Sequence, residues 1–92
     1  MSGGDRAIRC FVAGRVQGVF YRAATLERAS GLDLRGWVRN LPDGAVVVVA
    51  AGDPQALAEL AAWMWDGPPA ARVTSVSVEE WEAPVPPGFA VR

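Results

Sequence analysis

The sequence predicts an α+β domain in which two helices cover one face of an antiparallel sheet. Three observations favour this class: segments rich in β-forming residues, two segments with helical periodicity, and turn residues between them. The chain has 92 residues, of which 51% are hydrophobic, and this suits one domain with one core. The first strand is predicted at 6–13, where Ile8, Cys10 and Val12 share one face.

The first helix is predicted at 21–30, directly after a glycine-containing loop. It is expected to end with Gly31 in the left-handed conformation that follows the last turn of many helices. Thr25, Ala29 and Leu32 have the spacing of residues on one inner face. This helix therefore packs one narrow stripe against the sheet.

Two further strands are predicted at 34–40 and 45–51, joined by the turn Leu41-Pro42-Asp43-Gly44. Proline fixes φ and Asp-Gly suits a position with positive φ, so these strands form a hairpin. If alternate residues of the third strand face the helices, Val47 and Val49 lie on the opposite face of the sheet. An exposed apolar patch there would indicate a partner or self-association, and a covered strand face is the alternative.

The second helix is predicted to begin with Asp53 at the N-cap and Pro54 at the first helical position. Its apolar stripe consists of Leu57, Leu60, Ala61 and Met64. Gly-Pro-Pro at 67–69 ends it, and strands are predicted at 72–81 and 89–91. The order β-α-β-β-α-β with a short terminal fifth strand is the ferredoxin-like α/β sandwich.

Charge and residue usage exclude several classes of function. The net charge is −1, so no broad basic field attracts nucleic acid, and all nine cations are arginines. The absence of histidine and lysine excludes Ser-His-Asp and Cys-His catalysis, histidine zinc sites and lysine Schiff bases. The single cysteine, Cys10, is expected to be a small buried residue rather than a nucleophile.

The sequence predicts neither a membrane span nor a secretory leader. No apolar run approaches the roughly 20 residues that a span needs. The segment 1–5 has neither a basic region nor a long apolar region. We therefore expect a flexible tail at 1–5, one domain at 6–92, and a cytoplasmic protein that binds no membrane. A monomer is the simplest expectation for a domain of this size.

The segment at 14–22, GRVQGVFYR, is the strongest functional signal. Two glycines bracket a loop, and Arg22 follows where the first helix is predicted to begin. Glycines let backbone N–H groups turn toward a ligand, a helix start adds unpaired N–H groups, and an arginine fork holds two oxygens. Such a loop alone is a weak signal, but a second block, GWVRNLPDG at 36–44, follows at a fitting distance.

These two blocks, with Gly-Pro-Pro at 67–69 and Arg72-Val73, resemble the acylphosphatase family over nearly the whole chain. The resemblance implies a hydrolase that splits the carboxyl–phosphate bond of small acyl phosphates without a metal or an organic cofactor. It implies that Arg22 binds phosphate and that Asn40 positions the attacking water. It also implies a phosphate-binding loop formed by the backbone amides of Arg15, Val16, Gln17, Gly18, Val19 and Phe20.

No general base is visible among these residues, and the substrate class that the resemblance implies explains why none is needed. The carboxylate of an acyl phosphate is a good leaving group, and phosphoryl transfer commonly has a loose transition state. Our hypothesis is that the water's proton passes to a phosphate oxygen, so that catalysis rests on positioning and electrostatic stabilisation. We expect free phosphate or sulfate to bind in the same site.

Several neighbouring residues have simpler interpretations. The side chains of Arg15 and Arg39 could assist substrate approach, but solvated charges are the simpler interpretation. Gln17 is expected to stabilise its own loop, and Asp43 is expected to be a turn residue. Trp37, inside a strand, is expected to belong to the core.

Other functions compete with the enzyme. A non-catalytic anion-binding module would have the same loop. A carbamoyl-phosphate site in a larger maturation protein would have it as well, although this chain ends after one domain. An RNA-binding domain can use a four-stranded sheet of this kind to stack bases. Here the central strands lack the expected aromatic clusters and the net charge has the wrong sign.

Overall fold

The computed structural model describes residues 5–92 and has the predicted order of elements. Its helices and strands are β1 (Arg6–Arg15), α1 (Tyr21–Gly31), β2 (Arg35–Asn40), β3 (Val46–Gly52), α2 (Pro54–Met64), β4 (Arg72–Glu80) and β5 (Phe89–Val91). The expected tail at 1–5 lies outside the described residues except for Asp5, which pairs with Arg35 at 2.9 Å. Within residues 5–92, neither helix is long and apolar enough to cross a bilayer.

The five strands form one sheet in the order β4-β1-β3-β2-β5. The first four strands pair antiparallel, as predicted, whereas β5 pairs parallel with β2, so the complete sheet is mixed. The chain leaves β4 at one edge, crosses the end of the sheet through 81–88, and turns back along the far edge. That reversal makes β5 run in the direction of β2.

The core lies between the sheet and the two helices. The predicted helix packing is confirmed for Thr25 and Ala29 of α1 and for three of the four stripe residues of α2, which are buried. Leu32, predicted on the same face as Thr25, is the C-cap of α1 and is half-buried. The exception in α2 is Ala61, which is half-buried. Asp53 caps α2 as predicted, and its carboxylate accepts from the backbone N–H groups of Gln55 and Ala56 at 3.0 and 3.2 Å.

The end of α1 differs from the prediction. Gly31 is the last helical residue, and the positive φ of 57° belongs to Asp33. The N–H of Leu34 donates to Ala29 O at 3.0 Å and the N–H of Asp33 donates to Ser30 O at 3.1 Å. This pair of bonds is a Schellman motif, which puts the left-handed residue two positions later than expected. Aspartate tolerates that conformation better than most residues do.

The face of the sheet opposite the helices is covered by long side chains. Val47 and Val49 are 2% and 0% exposed, so a covered strand face is the correct alternative and the exposed patch is not found. Their partners across the neighbouring strands are Arg9, Phe11, Trp37 and Arg39. The long side chains of β1 and β2 shield the two valines from water.

Arginine–aromatic contacts organise this face. The Arg9 guanidinium lies 5.0 Å from the ring centroids of both Phe11 and Trp81, and it forms an ion pair with Glu79. Trp37, which we expected in the core, lies half-buried on this face with the Arg39 guanidinium 5.5 Å from its ring. A strand residue on the outer face of a single sheet has only such neighbours to pack against, because no second layer covers it.

Candidate active site

The loop between β1 and α1 contains five residues, 16–20, and is called the glycine loop below. Arg15, the first residue of the phosphate-binding loop that the resemblance implies, is the last residue of β1 and pairs with Arg72 of β4. The side chains of Val16 and Val19 are buried in the core, at 1% and 7% exposure. Because these two side chains anchor the loop from below, its backbone is held at the surface beside the start of α1.

Two glycines, Gly14 in β1 and Gly18 in the glycine loop, permit this backbone path for different reasons. A Cβ on Gly14 would lie 2.1 Å from Arg72 O, so the close approach of β4 to β1 excludes any side chain there. Gly18 has φ 73° and open space around the position of a Cβ. Gly18 is therefore required by its left-handed backbone conformation and not by crowding.

The glycine loop offers backbone donors. Within residues 5–92, none of the backbone N–H groups of 16–20 donates to a protein acceptor. The N-cap of α1, Phe20, contributes no side-chain bond to the first turn. Unpaired N–H groups of a loop and of a helix start together form a site of positive potential that suits an anion.

Arg22 adds a full positive charge to this potential. It is the second residue of α1, where the helix dipole disfavours a cation. Its Nη1 donates to the main-chain oxygen of Arg92 at 2.8 Å, and no Asp or Glu side chain in residues 5–92 forms a salt bridge with it. A cation placed at the positive end of a helix without an Asp or Glu partner is an arrangement that a bound anion stabilises.

Asn40 is the last residue of β2, and its side-chain oxygen has no partner. The Oδ1 atom is buried without a hydrogen bond to any group in residues 5–92. Gln17 holds the glycine loop against the adjoining turn, because its Nε2 donates to Leu41 O at 2.7 Å and to Ala45 O at 2.8 Å. We expected Gln17 to stabilise its own loop, and its bonds instead reach the β2–β3 turn. This contact fixes the separation of the loop from Asn40.

These groups surround one cavity of about 350 Å³. Its lining consists of Val16, Gly18, Phe20, Tyr21, Arg22, Ala23, Leu26, Asn40 and Val91. Arg22 and Asn40 thus come together with the glycine loop, whereas the predicted loop residues Arg15, Gln17 and Val19 do not line the cavity. The volume is that of a small-molecule site.

Sequence reasoning missed the contribution of the chain's last strand. Val91 lines the cavity and the main-chain oxygen of Arg92 holds Arg22. The short apolar run at 89–91 was the one available signal, and it gave no indication that β5 lies beside β2. The sequence also did not predict that Leu26 of α1 lines the cavity, because helical spacing does not distinguish a cavity wall from the core.

A larger cavity of about 840 Å³ lies at the opposite end of the sheet, beside the starts of β1 and α2. The cations on its rim have carboxylate partners, since Arg6 pairs with Glu80 at 3.7 Å and Arg35 pairs with Asp5 at 2.9 Å. Charge neutralised in this way offers little to an anion. The smaller cavity at the glycine loop is therefore the better candidate for chemistry.

The remaining candidates do not contribute reactive groups to this cavity. Burial raises the pKa of the Cys10 thiol to about 12, which supports the expectation that this cysteine is a buried apolar residue and not a nucleophile. Asp43 accepts from the N–H of Ala45 at 3.0 Å, which confirms its turn role. The Arg39 side chain stacks on Trp37 across the sheet from Asn40.

The fold and the cavity define a ferredoxin-like domain with a candidate anion site at one end of its sheet. Residues 8–91 match the model of the family Acylphosphatase. The chain therefore belongs to the acylphosphatase family, and it is a hydrolase of that family.

Relatives and solved structures agree with this membership. An acylphosphatase of Nitrosococcus oceani is 49% identical over 85 residues, which cover 92% of this chain and 96% of that protein. An acylphosphatase of Halorhodospira halophila is 52% identical over 83 residues, which cover 90% of each chain. The structure of an acylphosphatase from Coxiella burnetii superposes with a TM-score of 0.93 at 39% identity and covers 100% of both chains.

Proposed function

We propose that this protein hydrolyses small acyl phosphates in the cavity at the glycine loop, releasing a carboxylate and inorganic phosphate. One observation carries the proposal. Unpaired loop amides, an arginine without an Asp or Glu partner in residues 5–92, and the side chain of Asn40 converge on a single cavity of about 350 Å³. Family membership supplies the reaction, and these groups supply its residues.

In this proposal the phosphoryl group binds between the backbone N–H groups of 16–20 and the guanidinium of Arg22. Arg22 uses one donor on Arg92 and retains others for phosphate oxygens. The start of α1 adds its dipole to the same point. Inorganic phosphate and sulfate bind there as well, because they present the same tetrahedral set of oxygens.

Asn40 positions the nucleophile. Asn40 lines the cavity, and a water molecule held by its side-chain amide lies beside the phosphorus of a bound substrate. The water oxygen attacks phosphorus while the bond from phosphorus to the acyl oxygen breaks. The electron pair of that bond leaves with the carboxylate, and a proton of the water passes to a phosphate oxygen.

The reaction needs no side-chain base in this proposal. The sequence contains no histidine or lysine, and no Asp or Glu of residues 5–92 lines the cavity. Because the carboxylate leaves readily and the transition state is loose, the water loses its proton late. Arg22 and the amides stabilise the charge on the equatorial oxygens, which is the main source of catalysis.

The protein acts in this proposal as a cytoplasmic monomer on a dissolved substrate. Its substrate is one small molecule, and neither nucleic acid nor a membrane takes part. A net charge of −1 and the paired charges outside the cavity support this view.

The test is hydrolysis of benzoyl phosphate with a metal chelator present, by the wild type and by Arg22→Ala. Removal of one oxyanion donor costs about 2.7–4 kcal/mol in comparable sites, so we expect a loss of about 100-fold to 1,000-fold in kcat/KM. Arg22→Lys should recover only part of it, because lysine lacks the planar fork. Arg28→Ala removes an arginine at the other end of α1 and serves as the control.

Two outcomes would contradict the proposal. Near-normal turnover by Arg22→Ala would remove Arg22 from the site. A wild-type protein that binds phosphate but hydrolyses no acyl phosphate would be an anion-binding module.

A further inference from the structure

Phe20 stands out as a large apolar side chain that folding does not explain. It is 81% exposed, although the neighbouring Val16 and Val19 are buried. Its backbone is left-handed, with φ 65° and ψ 22°. A phenyl ring gains nothing from water, and a left-handed conformation costs a residue with a Cβ about 1–2 kcal/mol. Glycine or asparagine would satisfy this position at lower cost.

Helix capping does not explain the ring either. Phe20 is the N-cap of α1, and its main-chain oxygen accepts from the N–H of Ala24 at 3.0 Å. Any residue provides that oxygen. The side chain makes no capping bond, and phenylalanine is not among the residues preferred at this position.

Phe20 instead lines the cavity. Its companions there are Ala23, Leu26 and Val91, all apolar. The polar groups, Arg22 and Asn40, belong to the same lining. The cavity thus combines an anion-binding part with an apolar part, and an acyl phosphate combines an anionic phosphoryl group with an acyl group.

We infer that Phe20 is a specificity-determining residue that selects acyl phosphates with apolar acyl groups, aromatic or branched. This inference rests on the proposed function, because it needs the phosphoryl group bound at Arg22 and the glycine loop. The acyl group then lies against Phe20, Leu26 and Val91. Contact with an apolar acyl group removes the exposed ring from water, whereas an acetyl group is too small to cover it.

A charged acyl group is not favoured by this wall. Arg22 is the only charged side chain among the residues that line the cavity, and the phosphoryl group occupies it in the proposed function. A carboxylate or a second phosphate on the acyl group would therefore lose its hydrating water without gaining a charged partner. Apolar contact favours substrates with apolar acyl groups, and the lack of a partner for a second charge disfavours substrates with charged acyl groups.

The experiment compares kcat/KM for benzoyl phosphate and acetyl phosphate in the wild type and in Phe20→Asn. Asparagine tolerates the left-handed backbone and removes the ring. The rate with acetyl phosphate reports any disturbance of the loop, so the ratio of the two constants isolates the ring. We expect the ratio of benzoyl to acetyl phosphate to fall more than twofold, and by about fivefold for an aromatic contact of about 1 kcal/mol.

Trp65→Asn is the matched control, since Trp65 is 53% exposed and does not line the cavity. Its ratio should equal that of the wild type. Phe20→Tyr keeps the ring and should keep the ratio.

The outcomes separate this inference from the proposed function. A ratio in Phe20→Asn within twofold of the wild type would overturn the inference while acyl phosphate hydrolysis stands. A fall of both rates by the same factor would assign the ring to loop structure and would also overturn it. Wild-type protein inactive with both substrates would overturn the proposed function, and the inference with it.

Discussion

The Nη1 atom of Arg22 lies 2.8 Å from the main-chain oxygen of Arg92, so α1 is tied to the edge of the sheet at the candidate site. Arg92 is itself fixed twice. Its N–H donates to Val38 O at 2.8 Å, and its guanidinium lies 4.8 Å from the ring centroid of Trp37. The orientation of Arg22 therefore depends on contacts made on the face of the sheet opposite the cavity.

Trp37→Leu should weaken catalysis although Trp37 does not line the cavity. Leucine still covers Val49, but it cannot hold the Arg92 guanidinium, and such a contact is worth about 0.5–2 kcal/mol. We expect kcat/KM to fall about threefold to tenfold, with inhibition by inorganic phosphate weakened in parallel. Steady-state kinetics would measure both constants, with Trp65→Leu as the control. Unchanged kinetics with a lowered Tm would give Trp37 a structural role only.

Asn40→Ala should cost activity without costing stability. The variant removes a buried oxygen that has no protein partner, so the free energy of unfolding should stay the same or rise. The water loses the amide that positions it, and we expect kcat to fall about 100-fold while the inhibition constant for phosphate changes little. Urea unfolding and inhibition kinetics test the two halves separately. A collapse of phosphate affinity would make Asn40 a binding residue.

Gly14→Ala and Gly18→Ala should differ sharply in stability. The new Cβ at Gly14 meets Arg72 O at 2.1 Å, so β4 must move, and we expect a loss of about 3 kcal/mol or more. At Gly18 the Cβ meets no atom within 4 Å, and only the left-handed strain of about 1–2 kcal/mol remains. Urea unfolding curves measure both losses. Equal losses would show that crowding does not constrain Gly14.

The protein should lose stability above about pH 9. Burial raises the pKa of Cys10 from 9.0 to about 12, and burial together with the Cys10 charge raises that of Tyr21 above 10.0. Protons are therefore held more tightly in the folded state, so the stabilisation is complete below pH 9 and is lost as pH rises toward the folded values. At pH 10.5 the Cys10 contribution to this loss is about 2 kcal/mol.

Urea midpoints between pH 8 and pH 11 would measure this loss. Cys10→Val keeps an apolar residue of similar size and should flatten the curve in part, leaving the contribution of Tyr21. A wild-type midpoint that stays constant to pH 11 would contradict the prediction.

The sequence predicted the elements well because their signals are local. Asp53-Pro54 marks the start of α2 by a capping bond made within three residues, and the turn at 41–44 uses its own backbone preferences. The end of α1 was misjudged because glycine at 31 is only a preference. The bonds of Leu34 and Asp33 to the last turn decide which residue becomes left-handed.

The candidate site was predictable only where its residues share a segment. Arg22 and the glycine loop lie within 14–22, so one pattern indicates them together. The Arg92 oxygen comes from the far end of the chain, 70 positions away, and no periodicity connects it to Arg22. The exposure of Phe20 follows from its backbone conformation and from the burial of Val16 and Val19, which spacing does not reveal.

The position of β3 at the centre of the sheet also bears on aggregation. Its seven residues, Val46–Gly52, are uncharged and all buried, and they resemble the short segments that stack into amyloid. In the folded protein both edges of β3 are occupied by β1 and β2. The strands at the open edges are poor templates for another chain, because β4 carries Glu79 and Glu80 and β5 has three residues. Fibre formation should therefore begin from chains in which β1 or β2 has detached, and the native state should resist it.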